Sequence, residues 1–496
     1  MAITFLFSLS LLFIFLFSLS QLQLTLSFLL KKKHQKKQDR ILDKNFIPHV
    51  TIQLPLFNEK LVVNRLMDAV AQIQWPSEKL EIQILDDSTD ETSSLLLKKI
   101  EELRPHKLDI QLLHRENRKG FKAGALQQGL KVAKGEFIAL FDADFIPPSD
   151  FLIKTIPGFA HPSVGMIQTR WGHLNEHYSW LTALQAFALD AHFFIEQQAR
   201  QSSGSFINFN GTCGIWRKRC IEDAGGWSAD TLTEDLDLSY RAQLKGWKFQ
   251  YAGDLSTPGE LPFMMQAIKT QQYRWNKGGA ETARKLLGKV LRSSISLKKK
   301  GHAFFHLLNS SVFFFLLLAA LLSVPMVFIK TRIPFLEYLF QAGILFLTGF
   351  FSIAFFYWVS VKESQKKNPL LYFLKRFPPF LVISMGLSYH NGMAVLEGWL
   401  NKKTPFVRTP KFNIQKKSDS WKNNPYFKAS FTFNTFMEGL LLLYFAFGLV
   451  SGILLHEKSL LFFHILLTLG YGMVFFLSLF PLTLVLNKNN PNLILS

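Results

Sequence analysis

Cysteine is nearly absent: the 496 residues hold two, Cys213 and Cys220. Their spacing matches no metal-binding pattern, so both are expected to be free thiols with a structural role. Acid is also scarce, with Asp+Glu 36 against Lys+Arg 56 and a net charge of +20. A surplus of that size could serve nucleic acid, but no nucleic-acid-binding motif is present. Much of it flanks apolar runs, where attraction to anionic lipid headgroups accounts for it. The first apolar run has no basic residue before it and no small-residue cleavage site after it, so a membrane span is expected there in preference to a cleaved signal peptide. Internal repeats are missing, as are low-complexity tracts outside the apolar runs.

Phenylalanine, in contrast, is abundant, with 50 residues concentrated at the N-terminal tip and from about Phe304 onward. That is a membrane composition. The first run, Ile3 to Leu30, is long enough to span a bilayer and is followed at once by Lys31-Lys32-Lys33-His34-Gln35-Lys36-Lys37. The positive-inside rule puts the N-terminus outside and residue 31 onward in the cytoplasm. Further runs cover roughly 303–329, 333–361, 432–455 and 459–486. The first two are joined by Lys330-Thr331-Arg332 and the last two by His456-Glu457-Lys458, so both pairs read as helical hairpins. Five spans keep the long basic segments inside; the short Lys330-Thr331-Arg332 turn is the exception to the charge rule, since it falls outside. Residues 376–400 begin apolar but carry His390, Asn391 and Glu397, and a sixth span there would put the basic 402–417 loop outside. A helix lying in, or re-entering from, the inner interface is preferred. The expected organisation is a membrane helix (1–30), a basic linker (31–47), a cytoplasmic α/β domain (48–300) and a membrane hairpin (301–362). An interfacial helix with a loop (363–431), a second hairpin (432–487) and a tail (488–496) complete it. An integral protein of a bacterial inner membrane or a Golgi-type membrane fits that plan.

The polar middle alternates strands and helices. Strands are expected at 49–55, 81–85, 110–113 and 137–141, with helices from about Phe57-Asn58-Glu59 to Ile73, toward Leu103 and to Ala133. Ser88 and Thr89 are placed to cap the second of these helices. The pattern predicts a mostly parallel sheet with helices on both faces. Phe137-Ile138-Ala139-Leu140-Phe141 runs into Asp142-Ala143-Asp144, and the second strand ends in Asp86-Asp87. Both acidic ends would face the carboxyl-end crevice of such a sheet. Two hard oxygen donors there suit Mg²⁺ or Mn²⁺ and a phosphate-bearing substrate. An isolated Asp-x-Asp is more often a solvated acidic turn, so its weight comes from the rest of the chain. Lys119 and Lys122 lie in a Gly-containing loop before a helix, which is a phosphate-binding arrangement, although alone it reads as a solvated loop. Further on, a strand is expected at 164–171 and a helix from Trp180 to Arg200. Thr233-Glu234-Asp235 opens another helix, with Thr233 at the capping position and acids in the first turn. Gln271, Arg274 and Trp275 share one helix face at i, i+3, i+4.

The ordered series Asp-Asp, Asp-x-Asp, Thr-Glu-Asp, Gln-x-x-Arg-Trp resembles the signature of membrane family 2 glycosyltransferases of the cellulose synthase type. Asp86-Asp87-Ser88-Thr89-Asp90, Phe209-Asn210-Gly211-Thr212 and Ala224-Gly225-Gly226-Trp227 are most similar to the mannan-synthase-like and xyloglucan-backbone-synthase-like branches and their bacterial relatives. The resemblance implies a GT-A fold and inverting transfer from a nucleotide-sugar, UDP-glucose or GDP-mannose, to build a β-linked polysaccharide. It implies that Asp86 and Asp87 contact the nucleotide and that Asn58 and Glu59 meet base and ribose. Asp142 and Asp144 would serve the metal and diphosphate, helped by Lys122. Asp235, with Glu234 beside it, would be the general base. Gln271 and Arg274 would line the diphosphate site, and Trp275 with Asn210, Gly211 and Thr212 the acceptor site. Phe406-Val407-Arg408-Thr409-Pro410-Lys411 is similar to the family's Phe-x-Val-Thr-x-Lys gating loop, with Thr409 and Lys411 matching and Arg408 standing where Val is expected. The alternative is transfer of a single sugar to a membrane lipid, as ceramide glucosyltransferases do with similar motifs.

Overall fold

The computed structural model describes residues 1–32, 46–332, 344–419 and 431–489. The basic linker from residue 33 to 45, the start of the third apolar run, residues 420–430 and the tail beyond 489 lie outside the described residues. The chain opens with α1 (Ala2–Lys32) and then enters an α/β layer: β1 (Val50–Leu56), α2 (Val63–Ala71), β2 (Leu80–Asp86), α3 (Thr92–Leu103), β3 (Asp109–His114), α4 (Phe121–Val132) and β4 (Phe137–Leu140). These four strands pair in parallel, with Val50 opposite both Leu80 and Phe137. Their near-continuous apolar text has the expected cause, since β1, β2 and β4 are buried on both faces. The parallel alignment carries the loops after β1, β2 and β4 to one edge of the sheet.

The second half is mixed. α5 (Phe151–Thr155), β5 (Val164–His173), α6 (Trp180–Ala191), α7 (Gln197–Ser202), β6 (Gly214–Arg217), α8 (Lys218–Asp223), α9 (Glu234–Leu244) and β7 (Lys248–Gly259) complete a seven-stranded sheet of order β3-β2-β1-β4-β6-β5-β7. β6 runs antiparallel to both β4 and β5, while β7 is parallel to β5. The expected Trp180–Arg200 helix is broken by a π-helical turn, His192–Glu196, between α6 and α7.

Three local expectations need correction. The first helix begins at Val63 rather than near residue 59, because Asn58 adopts a left-handed φ of 55° that no helix continues. Ser88 and Thr89 do not cap α3; they bond Asn58 instead, and Asp90 Oδ1 accepts the Thr92 N–H. Thr233 does sit at the start of α9 but makes no capping bond; its hydroxyl meets that of Thr282 at 3.1 Å.

The chain then forms a long helix, α10 (Met265–Arg292), followed by α11 (Leu297–Leu307), α12 (Ser311–Arg332), α13 (Ile344–Glu363), α14 (Pro369–Gly386), α15 (Ser388–Trp399), α16 (Phe433–Leu454) and α17 (Leu461–Asn489). Among the described residues four helices are long and apolar enough to cross a membrane, or five if the pair α14–α15, bent by 52°, is one span. α1 packs on α12 and α13, α16 on α17, and α10 on α15. Small residues set the closest approaches, as at Gly386, where a Cβ would lie 2.1 Å from the Gly470 carbonyl oxygen.

Candidate active site

The carboxyl edge of the sheet, the first turns of α4 and α9, the inner face of α10 and the 406–411 segment enclose one cleft, with a cavity of about 200 Å³. Of the residues singled out from sequence, Glu59, Asp87, Lys122, Asp142, Asp144, Asn210, Gly211, Glu234, Asp235, Gln271, Arg274, Trp275, Thr409 and Lys411 line it. Asn58 stands at the rim, where its amide accepts from the Thr89 N–H and its backbone oxygen accepts from Arg408. Asp86 and Thr212 lie behind the surface. Asp86 is fully buried and accepts from Ser93 and the Ser88 N–H, so it braces the loop that presents Asp87. Thr212 Oγ1 accepts the Asp142 N–H at 2.8 Å and so holds the second acidic loop. Lys119 does not enter the cleft; its carbonyl accepts from Arg115.

Ion pairs join the motifs. Arg115, which the sequence reading passed over, grips Asp87 with Nε at 2.6 Å from Oδ1 and a second contact from Nη2. Lys122 donates to Asp142 Oδ1 at 2.6 Å and to the Gly211 carbonyl at 2.8 Å, with Glu234 at 3.9 Å. Burial opposes the charge of Lys122, but Asp142 and Glu234 outweigh it and hold its pKa up. Lys122 thus ties three motifs together rather than waiting as a solvated loop residue. From the far wall, Arg274 donates to Thr409 Oγ1 at 2.7 Å. Lys411 pairs with Asp144 Oδ1 at 2.7 Å and Glu59 Oε1 at 3.4 Å, while Arg408 pairs with Glu59 Oε2 at 3.1 Å. Burial raises the Glu59 carboxyl despite these two cations. Phe406 lies between two guanidinium groups, 5.2 Å from that of Arg118 and 5.1 Å from that of Arg274.

Asp235 occupies the first turn of α9. Its carboxyl faces Gly211, whose φ of 79° is the left-handed conformation glycine tolerates, and a Cβ there would come within 3.1 Å of Oδ2. Burial, reinforced by the neighbouring Glu234 charge, raises Asp235 to about 7. Glu234 is raised as well, by burial and against the pull of Lys122.

Asp142 and Asp144 flank one small residue, so the β4 loop offers two hard carboxylates to the same cleft, each balanced by one lysine. Among the described residues no three His, Cys, Asp or Glu side chains gather to hold an ion by themselves. That donor set fits Mg²⁺ or Mn²⁺, which take one or two carboxylates and complete their shell with water and substrate phosphate. The sequence reading missed Trp171, His173, Arg118 and Glu260, all of which line the cleft. Glu260 Oε1 accepts the Phe412 N–H at 2.9 Å and so anchors the end of the 406–411 segment. The tertiary pairing of β5 with β7 brings Trp171, His173 and Glu260 to the cleft, and the loop between β3 and α4 brings Arg118.

The fold is that of a GT-A glycosyltransferase. A mannosyltransferase from Pyrobaculum calidifontis, solved in complex with GDP-Man and Mn²⁺, shares it with a TM-score of 0.53 at 18% identity, over 78% of this chain and 100% of that one. Residues 48–278 match the glycosyltransferase-like family 2, and the chain carries a domain of that family. Within it, the chain is similar to Glucomannan 4-beta-mannosyltransferase 1 of Oryza sativa subsp. japonica, 40% identical over 311 residues, 60% of this chain and 59% of the relative. Glucomannan 4-beta-mannosyltransferase 7 of Arabidopsis thaliana is 43% identical over 259 residues, 51% and 47% of the two chains. The chain therefore spans between 47% and 59% of the length of these two curated relatives. The cellulose synthase-like, mannan-synthase-like resemblance read from the motifs is borne out.

Proposed function

We propose that the protein is an inverting, metal-dependent membrane glycosyltransferase that transfers a hexose from a nucleotide-sugar onto a growing β-linked glycan. The observation that carries this reading is the meeting of Asp142/Asp144, Asp235, Arg274/Trp275 and the Thr409–Lys411 segment in one cleft. Inverting transfer requires one base to take the acceptor hydroxyl proton as that oxygen attacks the anomeric carbon. Asp235, at about 7, is matched to accept a proton near neutral pH. No covalent nucleophile is needed. Asp142 and Asp144 would hold the divalent ion, which when bound supplies Lewis-acid stabilisation of the leaving diphosphate. Arg274 and Lys411 add fixed positive charge at the same end of the cleft. Arg115 holds Asp87 in one orientation toward the nucleotide, and Trp275 offers a flat apolar face to a sugar ring.

The similarity to glucomannan 4-β-mannosyltransferases favours GDP-mannose over UDP-glucose as donor and a β-1,4-linked mannan as product. In this reading the α/β domain lies on the cytoplasmic side, where the donor is made, and the apolar helices hold it against the bilayer. The test is transfer by purified protein with Mg²⁺ or Mn²⁺, GDP-mannose and UDP-glucose being offered separately and the product sized and digested with mannanase and glucanase. A long mannanase-sensitive product from GDP-mannose is the expected result. A short, lipid-extractable product would replace the polymer reading with transfer to a lipid.

A further inference from the structure

We infer that Trp171 and His173 form a saccharide-binding subsite for the acceptor, next to Trp275; this rests on the glycan-acceptor reading above. The two residues are two apart on β5, so their side chains leave the same face of the strand, and both line the cleft. β5 and β7 lose register between Thr169 and Arg170, immediately before this pair, an irregularity that re-aims the strand end.

The Trp171 ring is locked in place. Phe145 lies 5.0 Å from it and Phe193 5.1 Å, and Trp275 closes the row at 6.5 Å with a tilt of 50°. Phe145 follows Asp144 directly and rests on Gly259, where a Cβ would stand 2.5 Å from its ring. The aromatic wall is therefore continuous with the acidic loop at the reacting end. Trp171 remains half-buried, and its buried indole N–H has no partner among the described residues. An unmet buried donor is a cost that phenylalanine at this position would avoid.

His173 is 6% exposed, and its Nε2 meets Asp190 Oδ1 at 2.9 Å. That contact fixes the imidazole plane. Asn210 is held in the same way, by Gln197 at 2.7 Å and His192 at 3.0 Å. Fixed indole faces beside pre-oriented imidazole and amide groups are the chemistry that recognises a pyranose: its C–H face stacks and its hydroxyls bond. The donor end differs, since Lys122, Arg274, Arg408 and Lys411 crowd it with positive charge suited to phosphate. An uncharged sugar is therefore the ligand that fits the Trp171 end.

The test uses full-length purified protein with labelled GDP-mannose and β-1,4-mannohexaose as added acceptor. Trp171→Ala is expected to raise the acceptor KM at least tenfold with the donor KM unchanged. Trp171→Phe, which keeps the stack and loses the N–H, should fall between it and the native chain, and His173→Gln should raise the acceptor KM several-fold. A purely structural role would instead lower kcat and both affinities together. If the native protein extends mannohexaose and all three variants keep its KM within twofold, the subsite is overturned while the glycan reading stands. If the native protein leaves mannohexaose unextended and glycosylates lipid, the glycan reading falls and the subsite falls with it.

Discussion

Asp235 is where a single residue decides most. Its carboxyl is raised to about 7 by burial and by Glu234, so the form able to accept a proton grows as pH rises through neutrality. The transfer rate is expected to climb between pH 6 and 8, read from a pH–rate profile at saturating donor. Asp235→Asn should lower kcat by about 10²–10⁴ while nucleotide binding, followed by calorimetry, is retained. The same shift carries a stability sign. The folded-state pKa lies above the ordinary carboxylate value, so the folded chain binds the extra proton between about pH 4 and 7. That stabilisation is complete below the unfolded value and is lost as pH rises through 7. Thermal unfolding should therefore show Asp235→Asn more stable than the native chain at pH 8, with the advantage gone at pH 4. Lys411, bridging Asp144 and Glu59 from the opposite wall, makes a different prediction. Charged hydrogen bonds contribute about 1.5–3 kcal/mol, so Lys411→Ala should raise the donor KM about tenfold in initial-rate assays, with the acceptor KM little changed.

At the scale of elements, the sequence was readable where one period dominated. β1, β2 and β4 announce themselves as apolar runs ending in polar loops, and those loops proved to bring Glu59, Asp87, Asp142 and Asp144 together. β6 is four residues long, too short for any periodicity, and is a strand only because Ile215 and Trp216 pair between β4 and β5. β7 carries Gly253, Asp254, Pro258 and Gly259, which read as a loop until β5 supplies its partner. Asp86 and Thr212 illustrate the same limit at the site: spacing put them with their neighbours, but the direction of the side chain turned them inward to brace Asp87 and Asp142. The 406–411 segment shows how a local departure acquires a role. Arg408, where the family pattern has Val, ties the segment to the Asn58 carbonyl and to Glu59. Arg408→Val is expected to speed hydrogen exchange across 404–412 in nucleotide-free protein, while exchange in β1 and β4 stays as it was.

For the whole molecule, the question is how the α/β domain is held to the apolar helices. α10 carries Gln271, Arg274 and Trp275 on the face toward the cleft, and two residues before Gln271, about half a turn away, Lys269 reaches the other way. Its Nζ lies 2.7 Å from Glu438 Oε1 on α16 and 3.0 Å from Ser478 Oγ on α17, with the Lys269 carbonyl 2.8 Å from His390 Nε2 on α15. Lys269 is 8% exposed and Glu438 1%, so water can replace neither partner. Buried ion pairs add little beyond an apolar pair of the same volume, but removing one member strands the other charge at a cost of about 3–5 kcal/mol. Glu438→Leu alone should therefore lower the Tm in detergent sharply and raise the donor KM, because α10 loses its seat and Arg274 moves with it. The double variant Lys269→Met/Glu438→Leu should recover most of the Tm. If its donor KM recovers in step, the pair acts by positioning α10. Recovery of Tm with the donor KM still raised would show that the charge itself, and not only the packing, sets the position of Arg274.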